Sequence, residues 1–334
     1  MKDQQEHAQA HAQPPRADAD ADAGGKDGKK DGASKVIYAA VVANVGIAVA
    51  KFVVAGITGS AAMLAEGIHS AVDTGNEFLL MIGQRQAAKP ADPKHPFGYG
   101  KELYFWALLV ALSVFSLGGG LSIYHGVSAI RHPEPVEDIG WNYLVLVLSA
   151  CFEGYSWNVS RKELNKRRKP GASLWQAMRA SKDATVFTVF IEDSAALIGL
   201  AIAAAGITLG YVTGNPYCDP AASILIGVLL VGAAFTLARE TGNLLVGEGI
   251  SADAARRVRR LFEDDPAVES VGRLLSMQLG PDEVLLTAAV RFERGMRVDE
   301  VDAAIARMKQ AVTGVFPTIR HIYFESGTPQ PAPA

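Results

Sequence analysis

Residues 61–84 read AAMLAEGIHSAVDTGNEFLLMIGQ, an apolar run long enough to cross a bilayer, interrupted by Glu66, His69 and Asp73. An ionisable side chain at the bilayer centre costs about 2.5–3.5 kcal/mol on insertion scales, so this group needs a compensating partner. His69 and Asp73 stand one helical turn apart, and Glu66 lies three residues before His69. The three therefore share one helix face with their side chains converging. A bound metal ion is the compensation this donor set fits, and the run reads as half of a metal site inside a membrane.

The rest of the chain agrees with a membrane setting. Of 334 residues, 49% are hydrophobic and only 20% charged, and the mean hydropathy is positive. This composition describes a polytopic membrane protein. The net charge of −3 is close to neutral and argues neither for nucleic acid nor for acidic partners, so no nucleic acid is expected as a partner. Cys151 and Cys218 are the two cysteines. With no CxxC or Cys/His spacing they read as packing residues rather than a disulfide or zinc framework. Met1 to Lys35 is Ala, Asp, Lys, Gln and Gly with no apolar core, and is expected to be a disordered tail. The same holds for the Pro-rich end after Gly327.

Apolar stretches of spanning length, about 17–25 residues, run over Val36–Ile57, Ala61–Gln84, Glu102–Ile130, Trp141–Val159, Val186–Val212 and Ala221–Ala238. An α-helical bundle of six spans is expected. The fourth and fifth spans carry Glu153, Glu192 and Asp193, so they are expected to face protein rather than lipid. Lys and Arg concentrate before the first span, between the second and third, and between the fourth and fifth. Both termini are therefore expected in the cytoplasm. From Ser251 the pattern changes to a charged helix (Ala254–Asp264), strands at Val268–Leu279 and Val284–Phe292, a helix at Val298–Val315 and a last strand at Ile319–Phe324. The order α-β-β-α-β predicts a small ferredoxin-like α/β domain over 251–326, with helices on one face of the sheet and the other face free for dimerisation. The transmembrane part is assigned to 36–250.

Three segments, GSAAMLAEGIHSAVD (59–73), HPFGYGKE (95–102) and DPAASILIG (219–227), resemble the second span, the approach to the third and the start of the sixth in the cation diffusion facilitator family of divalent-metal/proton antiporters. The segments IEDSAALIG (191–199), GNLLVGEG (242–249) and LGPDEVLL (279–286) are similar to the subgroup that contains the animal zinc transporter 9. The resemblance runs from about Val36 to Glu325. It implies a homodimeric secondary transporter, not an enzyme, with a transport site between the second and fifth spans of each protomer. The second-span ligands implied are His69 and Asp73. The fifth span of the family supplies HxxxD or DxxxD, whereas aligning Asp193 with the final Asp puts Val189 at the first ligand position. Asp193 is the expected ligand, with Glu192 beside it about 100° around the helix.

One imidazole with carboxylates suits Zn²⁺, with Co²⁺, Fe²⁺ or Mn²⁺ also compatible. The metal is expected as transported cargo, with no permanently bound cofactor, and protons and membrane lipids as the other partners. Glu66 and Glu153 read as outer ligands, proton carriers or a charge pair in the bundle. Lys51 reads as a snorkelling or charge-balancing residue, and His95 as a structural or solvated loop residue, with metal capture at the cytoplasmic entrance as its alternative. The plasma (inner) membrane is the expected location. A metal sensor or a non-transporting partner subunit is the alternative. An intramembrane hydrolase lacks a HExxH-type motif on another span.

Overall fold

The computed structural model describes residues 44–133, 138–166, 168, 171, 173–180 and 182–326. The two tails expected from composition, and the first residues of the expected first span, lie outside the described residues.

The first helix of the described residues is α1 (Asn44–Thr58), and Gly59, with φ of +68°, turns it directly into α2 (Ala61–Ala87). A left-handed residue at this two-residue junction favours glycine. Ser60 caps α2, its Oγ accepting from Met63 N. The third long helix, Glu102–Arg131, is not uniform. It comprises α3 (Glu102–Ser113), a π-helical stretch over Val114–Gly120 and α4 (Leu121–Arg131). Helix α5 (Ile139–Lys166) is followed by the short α6 (Leu174–Ala180), α7 (Ala184–Thr213) and α8 (Cys218–Val246). Sequence reasoning did not foresee α6, and α8 continues beyond the apolar run ending at Ala238 to Val246, where Gly247, with φ of +115°, ends it.

Among the described residues, three helices are long and apolar enough to cross a membrane: Glu102–Arg131, Ala184–Thr213 and Cys218–Val246. At 1.5 Å per residue each reaches roughly 45 Å. Helices α2 and α5 have 27 and 28 residues but carry the acidic side chains. The polar side chains of the bundle lie inside it among an apolar core, while large apolar side chains also cover its outside. Glu66, His69, Asn76, Glu192 and Asp193 are buried, whereas Val53, Phe78, Leu112, Phe115, Phe152, Leu225 and Phe235 are exposed. Polar groups turned inward and an apolar exterior are what a hydrocarbon solvent demands. Cys151 does not pack as expected: it is exposed, next to the outward-facing Phe152. The chain is thus an integral membrane protein.

Small residues set the tightest helix crossings. A Cβ on Gly119 of the π-helical stretch would stand 3.0 Å from the Gly227 carbonyl oxygen, and one on Gly227 2.9 Å from that of Gly119. This contact locks Glu102–Arg131 onto α8. Helix α7 packs between α5 and α8, and α2 packs against α3, α7 and α8.

After α8 come α9 (Ala252–Glu263), β1 (Val268–Gly280), β2 (Glu283–Phe292), α10 (Val298–Val315) and β3 (Ile319–Ser326). The strand order is β1-β2-β3, with β1 and β2 antiparallel and β2 and β3 parallel. The parallel pair requires a crossover, which α10 supplies. Val284, Leu286, Ala288 and Val290 alternate inward along β2 and meet Val258 and Phe262 of α9 and Met308 and Val312 of α10. On the opposite side of the sheet Leu275 and Tyr323 are exposed.

Candidate functional site

The functional stripe of α2 is longer than His69 and Asp73 alone. Glu66, His69, Asp73 and Asn76 recur at intervals of three and four residues, the spacing that keeps side chains on one face. All of these but Asp73 are almost completely buried. His69 Nδ1 approaches Asp73 Oδ1 at 3.4 Å, yet neither ring nitrogen of His69 has a hydrogen-bond partner, nor do Asp73 Oδ1 and Glu66 Oε1. A buried polar atom left unpaired costs about 1–3 kcal/mol. Four such atoms lie on this one helix face.

Lys51 of α1 projects into this interior. Its side chain is wholly buried, and Nζ donates to Glu66 Oε2 (3.1 Å) and Ser70 Oγ (2.7 Å). Of its two expected roles, charge balance is the one the geometry carries, since no part of the side chain reaches the surface.

Helix α7 runs antiparallel to α2. Gln84 Nε2 donates to Thr185 Oγ1 (3.1 Å), Asn76 Nδ2 donates to Glu192 Oε1 (2.7 Å), and Glu66 Oε1 lies against Gly199, where a Cβ would press on it. Between the last two levels α2 presents His69 and Asp73, while α7 presents Ala195 and Ala196, both buried and without donor atoms. The helical offset between Glu192 and Asp193 separates their partners. Glu192 turns to α2, whereas Asp193 turns to α5 and accepts from Ser156 Oγ (2.8 Å) and Ser160 Oγ (3.3 Å). Val189 packs against the apolar core. Thr188, one turn before Glu192, is fully buried with its hydroxyl unpartnered.

The acids of three helices share one electrostatic environment. Glu192, Glu153, Lys51 and Asp193 all act on Asp73, and Glu153 of α5 is itself within the fields of Lys51, Glu66 and Glu77. Among the described residues, no three His, Cys, Asp or Glu side chains converge closely enough to hold one metal ion. Glu66, His69, Asp73, Glu192 and Asp193 thus lie in the bundle interior, with Glu192 bonded to Asn76 of α2 and Asp193 to the serines of α5.

His95 is apart from this region. It lies in the loop after α2, half-exposed, with Nδ1 3.4 Å from Asp92 Oδ1 and its ring against Tyr99. The Tyr99 hydroxyl donates to Asp92 Oδ2 (2.7 Å) and holds the Asp92 carboxyl below the usual carboxylate range. The same loop meets the α/β region: Phe97 packs edge-on to His321, and Lys101 Nζ, which donates to the Leu245 carbonyl of α8 (3.4 Å), also reaches Met277 Sδ of β1 (3.6 Å).

Sequence reasoning missed Asn76, although its place on the stripe of His69 and Asp73 was legible. It also missed what Asp219 does. The Asp219 carboxylate of α8 accepts from Ser60 Oγ (2.6 Å), Ala61 N (2.5 Å) and Ala62 N (3.2 Å). It thereby seats the N-terminus of α2 on α8, using the exposed donors and positive end of that helix. No local pattern around either residue signals the pairing.

Buried acids and an imidazole inside an apolar-surfaced helical bundle, followed by a small α/β region, define a membrane protein of the metal-transporter class. Residues 37–246 match the family model described as the cation efflux transmembrane domain. The chain is 36% identical over 237 residues to the Xenopus laevis protein named proton-coupled zinc antiporter SLC30A9, mitochondrial, and 35% identical over 237 residues to the human protein of that name. Each alignment covers 71% of this chain and 42% of the relative. It is 32% identical over 249 residues to metal tolerance protein C4 of Arabidopsis thaliana, covering 74% of this chain and 54% of that one. The chain belongs to the cation efflux, or cation diffusion facilitator, family, in the subgroup similar to SLC30A9.

Proposed function

We propose that the chain exports divalent transition-metal cations, Zn²⁺ foremost, in exchange for protons. The observation that carries this reading is the group of unpartnered buried atoms on one face of α2: both nitrogens of His69 and Asp73 Oδ1. A mixed nitrogen and oxygen donor set favours Zn²⁺ and its first-row neighbours over Mg²⁺ or Ca²⁺. His69 and Asp73 are the core ligands, with Glu192 or Asp193 completing the set. Glu192 is the better placed, because it already faces α2 through Asn76. Closing the site needs Glu192 to leave the Asn76 amide and move towards Asp73, a shift of α7 against α2 of the shear kind. Metal and proton compete for the same lone pairs, so protonation of the ligands expels the ion and couples the two fluxes.

The proposed topology is six spans over 36–250 with both termini in the cytoplasm, supported by the Lys and Arg of alternate loops. The domain over 251–326 lies on that side and holds two copies together through the exposed sheet face of Leu275 and Tyr323. The proposed location is the plasma (inner) membrane. The names of the relatives, a proton-coupled zinc antiporter and a metal tolerance protein, support cargo and coupling.

Uptake of Zn²⁺, Co²⁺, Fe²⁺ and Mn²⁺ into proteoliposomes with an imposed pH gradient tests the reading. Gradient-dependent Zn²⁺ flux that vanishes in His69→Ala and Asp73→Ala is expected. Stoichiometric binding without flux of any ion would overturn it in favour of a sensor or partner subunit.

A further inference from the structure

Resting on the transport reading, we infer that Lys51 is a positioning residue that keeps Glu66 out of the metal's ligand set. Glu66 lies one turn from His69 on the same face, with Oε1 unpartnered. By stereochemistry alone it would join any ion bound to His69. Lys51 prevents this by holding the other carboxylate oxygen, Oε2, at 3.1 Å, while Ser70 Oγ at 2.7 Å fixes the ammonium in place. Both partners stand on α2 one turn apart, so the amine bridges them rather than reaching for water. Gly199 of α7 confines the carboxylate from the opposite side.

The consequence concerns release. A carrier must bind its ion firmly enough to load and weakly enough to unload. The interior concentrates carboxylates on α2, α5 and α7, and Lys51 brings a fully buried ammonium among them, held between Glu66 and Ser70. With Glu66 neutralised in an ion pair, the ion keeps His69, Asp73 and the α7 acid. Without Lys51, it would gain one more carboxylate and lose a repelling charge. The pair tunes affinity downwards and turnover upwards.

Buried ion pairs give this idea a sharp test, because removing one partner is costly while removing both is often close to neutral. Zn²⁺ binding to the detergent-solubilised full chain is measured by calorimetry at fixed pH, alongside saturating Zn²⁺ flux in proteoliposomes. Lys51→Met is expected to bind Zn²⁺ roughly 10–100-fold more tightly, the range by which outer partners alter metal affinity, and to show lower maximal flux with lower KM. A merely structural lysine would instead weaken both, and that result overturns the proposal. If Lys51→Met does not fold, Glu66→Gln and the double variant Lys51→Met/Glu66→Gln carry the test. Glu66→Gln leaves an unpaired ammonium beside the site and is expected to weaken Zn²⁺ binding roughly tenfold. The double variant restores it to about the wild-type value, because the neutral pair is removed as a unit. Equal weakness in both variants would make Glu66 a direct ligand and overturn the inference. Wild-type protein that binds no Zn²⁺, or His69→Ala that binds it unchanged, would instead defeat the transport reading itself.

Discussion

Replacing Asp219 with alanine should loosen the helix that carries His69 and Asp73. The carboxylate is buried at the junction of α8 and α2 and accepts from one hydroxyl and two backbone N–H groups, Ser60 Oγ, Ala61 N and Ala62 N. The two backbone donors belong to the first turn of α2 and have no partner within the helix. Left buried and unpaired, each costs about 1–3 kcal/mol, and the loss of a negative charge at a helix N-terminus adds roughly 0.3–2 kcal/mol. Ser60 keeps its bond from Met63 N (3.0 Å), which limits the damage. Relief of the carboxylate's own burial offsets part of the sum, leaving a net loss of about 3–5 kcal/mol, the range for removing one partner of a buried charged interaction. Asp219→Asn retains an acceptor oxygen and should cost about 1–2 kcal/mol. Ser60→Ala should be milder than Asp219→Ala, and the double variant should show a coupling within the 0.5–3 kcal/mol expected of residues in contact. Thermal unfolding of the detergent-solubilised chain reads these differences as a ranked series, with Asp219→Ala lowest. Asp219→Ala and Asp219→Asn melting together with the wild type would refute the reasoning, since the cap would then contribute nothing to holding α2.

Asn76→Ala removes the amide that serves the buried Glu192 carboxylate at 2.7 Å; a loss of about 1.5–3 kcal/mol is expected, read by denaturant unfolding in detergent, and an unchanged midpoint would show that Glu192 does not depend on Asn76. Gly100→Val should push the loop after α2 away from the β1–β2 turn, because a Cβ there would stand 2.5 Å from the Leu279 carbonyl oxygen; faster hydrogen exchange at residues 277–283 is expected, and unaltered exchange would mean the contact is not maintained. The Asp265 carboxyl is held below the usual carboxylate range, first by its hydrogen bonds from Arg307 (3.1 and 2.9 Å). A depressed carboxyl contributes stability above its unfolded value, near pH 4, and loses it as pH falls through the lower folded value. Protection of α9 and α10 from hydrogen exchange should therefore drop below about pH 4 in the wild type, and Arg307→Gln should flatten that response; identical profiles would show that the pair does not couple the domain to pH.

The transmembrane character, the long helices other than the π-helical stretch of the third, and the α-β-β-α-β order of the C-terminal region were legible in the sequence, because all follow from short-range periodicity; the short α6 was not. Val298–Val315 is a helix over the residues its apolar spacing indicates, and β2 alternates as Val284, Leu286, Ala288 and Val290 require. The stripe of Glu66, His69 and Asp73 was legible for the same reason, since one helix fixes the relative directions of its own side chains. The helical offset also determined that Glu192 and Asp193 point differently. What the sequence could not say is which neighbour each of them meets. Only the packing of α2, α5 and α7 assigns Asn76 to Glu192 and Ser156 to Asp193, across sequence separations of 116 and 37 residues. Only packing brings Lys51 to Glu66, and Asp219 to the start of a helix 158 residues away. Periodicity fixes the face on which a residue lies; the partner across that face depends on helix register and crossing, which long-range close packing of small residues such as Gly119, Gly199 and Gly227 decides.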